Sequence, residues 1–289
     1  MNTQVQEQPS EFVQFWNEIL VPKFIRFKHV LVGGLSNHSA AIFPRLAVKP
    51  GDKVLDAGAG FGDTAIMLAE RVGPTGQVTA IDCCDAFLDF GRKDAADKEV
   101  ANVEFVADDI QTRRFEPVYD FVFSRFGTMF FENPVIALKN MRSALKPGGR
   151  MTMIVWRTID DNPCLGSAKK VVLTHLPQPG DDARTCGPGP FSMANQEMVT
   201  AQLKAAGYED ITFERVDAPI RMGDTVEDAI EFQLALGPAG EAYREAGDLA
   251  KEKHEEIVAD LKALLAPFVT DDGVVMGSSS WVISARNPA

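Results

Sequence analysis

The stretch VLDAGAGFGDT, Val54 to Thr64, sets three glycines at alternate positions behind a carboxylate. Glycine serves where the chain turns sharply or where a ligand must approach the backbone closely. A helix that starts after such a loop points N–H groups at the ligand and favours a carboxylate or phosphate. The spacing separates two kinds of ligand. A dinucleotide loop reads GxGxxG. Here Gly58 and Gly60 are followed by Gly62, and Asp63 holds the place of that pattern's third glycine. Asp56, at the end of the apolar run, sits badly beside a pyrophosphate but well beside a cation. An amino-acid moiety has both signs: an ammonium for the carboxylate and a carboxylate for the N–H groups. Asp82 ends VTAID about 20 residues on, where an acid holds ribose hydroxyls in open α/β sheets. Asp109, in ADDIQ, is placed to accept from an exocyclic amino group, with Ile110 beside it to pack on the ring. Together these suit an adenosine that carries an amino acid rather than a diphosphate.

Other residues are candidates for work on a second molecule. In SRFGTMFF, Ser124 to Phe131, the side chains of Phe126, Met129 and Phe130 form an apolar wall or face a helix in the core. Arg125 either orients an anionic or carbonyl oxygen or pairs with a carboxylate of a covering segment. His38, in LSNHSAAIF, is the candidate general base, against the plainer reading of a surface or capping histidine. His175 and His254 lie in a loose segment and a charged helix. Trp16, with Phe15, lines a pocket from the N-terminal helix or packs in the core.

The elements that position these residues follow from periodicity. Ser10 caps a helical stretch running to about Leu35, with Phe12, Phe15, Trp16, Ile19 and Leu20 at helical spacing. After the turn KPGD, short apolar runs alternate with helical ones: KVLDAG, DTAIMLAERV, VTAID, CDAFLDFGRKDAADK, VEFVADD, YDFVFSRF, NPVIALKNMRSAL and RMTMIVW. That rhythm gives a parallel sheet with right-handed crossovers and helices on both faces. The runs are apolar almost throughout, as strands covered on both sides are. Past Trp156 the pattern loosens. A helix over NQEMVTAQLKAAGY, a strand over EDITFERVDA, a long helical stretch over residues 225–267 and a final strand at GVVMGSSSWVISARN complete the chain.

The 289 residues carry a net charge of -12 and are 45% hydrophobic, enough for a large core. Such acidity repels a phosphate backbone, so a nucleic-acid partner is not expected. The densest basic stretch, PKFIRFKH, reads as an amphipathic helix with its cations in water. The N-terminal residues lack the basic-then-apolar layout of a signal peptide, and no apolar run has the length of a membrane span. Cys83, Cys84, Cys164 and Cys186 form no CxxC pair, and adjacency is poor spacing for a metal, so no metal is expected. Reduced cysteines and a cytoplasmic location are the default.

The segments VLDAGAGFG, VTAID, VEFVADDIQ, YDFVFSRFG and ALKPGGRMTMIVW, in this order, resemble the class I S-adenosylmethionine-dependent methyltransferases. The likeness is strong over about residues 45–157 and weaker over the last two strands. SRFGTMFFENP and LKPGG are most similar to the small-molecule branch that includes the ubiquinone/menaquinone C-methyltransferases. The resemblance implies a Rossmann-like, seven-stranded, mostly parallel sheet whose last strand is antiparallel. It implies that Asp56, Gly58, Gly60 and Gly62 meet the methionine part of S-adenosyl-L-methionine, Asp82 the ribose, and Asp109 with Ile110 the adenine; Cys83 and Ser124 fall beside these positions. It also implies that the segment after the fourth strand faces the methyl group. No Asn-Pro-Pro-Tyr tetrapeptide follows that strand, which speaks against amino methylation of bases. The expected organisation is an N-terminal helical cap over residues 1–44 and a methyltransferase domain over 45–289, with lid segments at about 157–193 and 219–272. The expected activity is methyl transfer to an oxygen or carbon of a small, hydrophobic or aromatic metabolite by an enzyme able to form a homodimer. The rival readings are a catalytically inactive cofactor-binding protein that acts through its lid, and a nicotinamide oxidoreductase, which Asp63 disfavours.

Overall fold

The apolar runs that alternate with helices assemble into one sheet in the computed structural model, which describes residues 10–180, 183 and 187–289. Cys186 lies outside them. Strands β1 Lys53–Ala57, β2 Gln77–Asp82, β3 Val103–Ala107, β4 Tyr119–Arg125 and β5 Leu145–Trp156 run parallel. They are followed by β6 Glu209–Gly223, the two-residue β7 Val269–Thr270 and β8 Gly273–Arg286. The order across the sheet is β3-β2-β1-β4-β5-β8-β6, and β8 runs antiparallel to both β5 and β6. The small β7 pairs with β8 beside this seven-strand path. Val54, Leu55, Val78, Ile81, Val122 and Phe123 have no solvent exposure, because helices cover the sheet. The chain moves one way from β1 to β3 and then returns to β4 on β1's other side. The carboxyl ends of β1 and β4 therefore flank the switch point, where a ligand crevice opens in such sheets.

The N-terminal helical stretch is broken into three: α1 Glu11–Phe15, α2 Val21–Arg26 and α3 Ser36–Ile42. Two π-turns, Trp16–Leu20 and His29–Gly34, join them. Ser10 does cap α1, its Oγ accepting from the Val13 N–H at 3.3 Å. Trp16, Leu31 and Leu35 of this stretch face inward and line the cleft. The cations of PKFIRFKH are not simply solvated. Lys23 donates to the Ala235 carbonyl at 3.2 Å, Arg26 pairs with Glu231, and Lys28 pairs with Asp94 at 3.2 Å.

Helices α4 Asp63–Val72, α5 Asp85–Asp97 and α6 Pro134–Ala144 are the crossovers. The Asn133 side chain caps α6, with Pro134 in the first turn. Beyond β5, α7 Pro163–His175 packs against α10 Gly237–Glu245 and α12 His254–Leu265. α8 Gln196–Ala205 lies on α6, and α9 Val226–Ala235 packs against α10 and α12, with the short α11 Asp248–Glu252 preceding α12. β6 is longer than the sequence suggests: residues 219–223 continue the strand rather than open a covering segment, because each of Pro219 to Gly223, apart from Met222, has a partner on β8. Among the described residues, no helix is long and apolar enough to cross a membrane.

Candidate active site

The three loop glycines serve different ends. All have positive φ, 69° at Gly58, 53° at Gly60 and 77° at Gly62, which favours glycine at each. A Cβ on Gly60 would meet nothing within 4 Å, so this residue opens onto a cleft. A Cβ on Gly62 would lie 2.6 Å from the Phe105 ring and 3.0 Å from the Gly91 Cα, so that position is needed for packing, not for a ligand. Nor is the loop a row of free donors. The Gly58 and Ala59 N–H groups donate to the Ile81 carbonyl at 2.9 and 3.0 Å, Gly60 to Asp82 Oδ2 at 2.9 Å, and Gly62 to the Ala59 carbonyl at 2.9 Å. Backbone donors in a tight, half-buried loop must be paired, and here they fix its shape.

Asp82 closes this arrangement. Its Oδ2 takes the Gly60 N–H and its Oδ1 the Cys84 N–H, both at 2.9 Å. Burial raises its pKa, while those two bonds act to lower it. Each oxygen keeps a second lone pair, and the residue lines the cleft beside Cys83. Asp109 lines it too, its Oδ1 held by the Gln111 N–H at 2.8 Å, with Ile110 next to it. Asp56 is fully buried and lies outside the lining. Its Oδ2 accepts from the Thr64 hydroxyl at 2.7 Å, and its Oδ1 has no partner. Burial pushes its pKa up to about 7, helped by the charges of Asp63 and Asp82 and opposed by the Thr64 bond and Arg125. Ser124 is also fully buried, its hydroxyl donating to the Ala57 carbonyl at 2.7 Å. It ties β4 to β1 and does not reach the cleft, so Ser124 and Gly62 shape the site without lining it.

The cleft is open to solvent, and among the described residues its charged lining is Asp63, Asp82, Asp108, Asp109, Glu132 and one cation, Arg125. A methyltransferase domain model matches residues 48–179. The ubiquinone/menaquinone biosynthesis C-methyltransferase UbiE of Ectopseudomonas mendocina is 32% identical over 209 residues, 68% of this chain and 81% of that protein. The chain belongs to the class I S-adenosylmethionine-dependent methyltransferases. The demethylmenaquinone methyltransferase of Staphylococcus aureus is 38% identical over 110 residues; the match spans 38% of this chain and 45% of that protein. The phosphoethanolamine N-methyltransferase 2 of Haemonchus contortus, solved with S-adenosyl-L-methionine, superposes with a TM-score of 0.59 over 97% of this chain and 61% of its own, at 21% identity. A putative methyltransferase of Bacillus halodurans gives 0.56 over 86% of this chain and 98% of its own, at 19% identity. These two show the shared fold.

The site of this methyltransferase fits that cofactor. The cleft is anionic, which suits a sulfonium and an ammonium and repels a pyrophosphate. Gly60 leaves room at the loop, Asp82 has lone pairs to offer, and Asp56 keeps a buried oxygen without a partner behind the loop.

Of the two expected catalytic groups, Arg125 lines the cleft and His38 does not. The Arg125 guanidinium pairs with Asp63, the first residue of α4, at 2.7 Å, and donates to Ser39 Oγ at 2.9 Å. Its partner is thus in the methyltransferase's own glycine-loop helix, not in a covering segment, although it still lines the cleft. His38 is completely buried. Its Nε2 meets Ser278 Oγ at 2.8 Å and its Nδ1 meets Ser280 Oγ at 2.9 Å, so both nitrogens are taken. Burial, then the nearby Arg125 charge, lowers its pKa to about 4. It does not line either cavity described here. His38 is therefore a neutral prop rather than a base that reaches substrate, and it stands edge-on to Phe126 at 5.5 Å and to Trp156 at 5.4 Å.

Those two rings lead to a second chamber. Trp16, Phe24, Leu31, Leu35, Phe126 and Phe130 line both the chamber and the cleft, so the two spaces share a wall. Phe126 has φ of 54°, a conformation that costs a non-glycine residue about 1–3 kcal/mol. Its N–H is held by the Ile154 carbonyl at 2.8 Å, and its ring stacks on Trp156 with centroids 4.0 Å apart. Trp16 meets Phe130 edge-on at 5.1 Å and Phe24 at 5.2 Å. Met129 lines the chamber only, as do Phe15, Trp156 and Phe232. Glu241 and Arg244 are the chamber's charged lining. Phe24 and Phe232 carry no motif, and Trp156 enters the sequence only as the last residue of the strand RMTMIVW; the shape of the fold brings them to the chamber.

Proposed function

We propose that the protein transfers the methyl group of S-adenosyl-L-methionine to an oxygen or carbon of a small, hydrophobic, aromatic metabolite. The observation that carries this is the shared aromatic wall: an anionic cleft and an apolar chamber meet at Phe126, Phe130 and Trp16. In this reading Asp82 accepts the ribose hydroxyls, each charge-assisted bond contributing about 1.5–3 kcal/mol. Asp109 and Ile110 hold the adenine, Cys83 borders the ribose, and the Gly58–Gly60 bend takes the methionine end above the Asp56 carboxylate. The N-terminal helical cap and the segments at about 157–180, 187–193 and 224–272 close the chamber from water.

The cofactor supplies a sulfonium-bound methyl that is already electrophilic, so the chain need not create a leaving group. Its own residues have to align an acceptor and keep water out, and positioning alone supplies several kcal/mol. Phe126 does the aligning: its backbone is fixed by Ile154 and its ring by Trp156, itself propped by His38. No histidine lines the chamber. Glu241 is the carboxylate of the chamber's lining, and a weak base of that kind suits an acceptor whose own proton is acidic, as in a phenol or an activated carbon. A second reading rests on that same observation: without a histidine base in the chamber, the protein binds the cofactor and acts through its covering helices without catalysis.

The test is incubation of the purified protein with methyl-labelled cofactor and a panel of phenols, hydroquinones, amines and thiols. Label on an oxygen or carbon of an aromatic acceptor supports the proposal. Transfer only to amines or thiols overturns it. Tight cofactor binding with no transfer to the panel or to a cell extract favours the second reading.

A further inference from the structure

Cys83 and Cys84 follow the Asp82 carboxylate directly, and methyl transfer as read above uses neither thiol. Adjacency in sequence looks unsuited to a metal, yet the bend after β2 brings the two sulfurs to 3.8 Å. Two sulfurs bound at about 2.3 Å to one tetrahedral Zn²⁺ stand about 3.8 Å apart. One Asp82 oxygen completes the set, since the donor atoms of Asp82, Cys83 and Cys84 all lie within 4.8 Å of one another. We propose that Asp82, Cys83 and Cys84 form a site for a soft, thiophilic divalent ion, occupied in competition with the methyltransferase's cofactor.

The chemistry of the set is consistent. Thiolates select soft ions such as Zn²⁺ and Cd²⁺, and three protein donors leave a fourth position open. Both Asp82 oxygens already accept a backbone N–H, which orients the carboxylate as outer hydrogen bonds orient metal ligands. Cys83 lines the cleft, so an ion has a way in, whereas Cys84 is buried against Phe87 and Phe61 and forms the floor. The bound ion takes the Asp82 lone pairs. The competition rests on the reading of Asp82 as the ribose acceptor; the ion site itself does not.

Cd²⁺ is the probe, because its thiolate bonds give an ultraviolet charge-transfer band. The full chain, titrated with Cd²⁺ in a buffer without thiols, is expected to develop the band at one equivalent. The band is expected to persist in the Cys164→Ser/Cys186→Ser double variant and to be lost in Cys83→Ser and in Cys84→Ser. Should buried Cys84→Ser fail to fold, the cleft-facing Cys83→Ser carries the test. Calorimetry with S-adenosyl-L-methionine is expected to show an apparent Kd that rises in proportion to free Cd²⁺, and to show the same with Zn²⁺. A band that survives Cys83→Ser, or cofactor affinity unaffected by a saturating ion, overturns the proposal. Failure of the metal-free protein to bind the cofactor would instead overturn the cofactor reading, and the band would still report the ion site.

Discussion

Replacing Asp56 with Asn should stabilise the cofactor-free protein at high pH and weaken cofactor binding at the same time. Burial lifts this carboxyl from 3.8 to about 7. Between those values the folded protein holds a proton that the unfolded chain has lost, so stability falls as pH rises. At about 1.4 kcal/mol per pK unit, the cost is near 4 kcal/mol at about pH 8 and under 2 kcal/mol at about pH 5. Asn does not ionise. Its carbonyl keeps the Thr64 bond, while its amide replaces the partnerless Oδ1, at a pH-independent cost of about 1–3 kcal/mol. The stability of Asp56→Asn minus wild type should therefore rise by about 2–3 kcal/mol from about pH 5 to about pH 8. The wild-type profile alone hides this. His38, lowered from 6.5 to about 4, works in the opposite sense: the unfolded chain binds the proton first, and stability is lost as pH falls through that window. The two slopes cancel where the windows overlap, and the difference between variant and wild type isolates Asp56. Urea unfolding of both proteins without cofactor, at the two pH values, makes the measurement. A difference that stays constant with pH would refute the account of Asp56 as a charge buried at a cost and repaid by a cationic ligand.

Asp82→Ala should reduce cofactor affinity more than tenfold, since bonds of about 1.5–3 kcal/mol each are removed, with the circular dichroism spectrum unchanged; equal affinity by calorimetry would remove the ribose role. Gly60→Ala should lower cofactor affinity while costing only about 1 kcal/mol of stability, because its Cβ enters open space. Gly62→Ala should instead lower the melting temperature markedly, through the Phe105 and Gly91 contacts; the opposite ranking would mean the two glycines have been assigned the wrong way round. His38→Gln should lose stability and leave the shape of the kcat–pH profile intact, and disappearance of its acidic limb would reinstate His38 as a base.

The cofactor half of the site was legible because its determinants are local. A glycine loop, an acid about 20 residues on and a third acid at the next strand end are each fixed by a neighbouring element. That logic placed Gly58, Gly60, Asp82, Asp109 and Ile110 at the cleft, with Cys83 beside them. It failed for Ser124 and Gly62, since periodicity gives the strand end but not the direction of one short side chain. It failed for His38 because the serines that hold it lie 240 and 242 residues away on β8. The helical spacing of the N-terminal stretch was real, but a count of apolar positions does not register the π-turns at Trp16–Leu20 and His29–Gly34 that interrupt it.

By itself, then, the order of residues determined the alternating elements, the sheet and the nature of the cofactor, because burial on both faces and backbone turns leave a direct mark on composition and spacing. Tertiary structure alone decided the make-up of the apolar chamber. Residues from the N-terminal turns, the end of β4, the end of β5 and α9 form one chamber only after the chain has closed. It also decided the ionisation of Asp56 and His38, because desolvation depends on everything packed around a group and not on its neighbours in sequence.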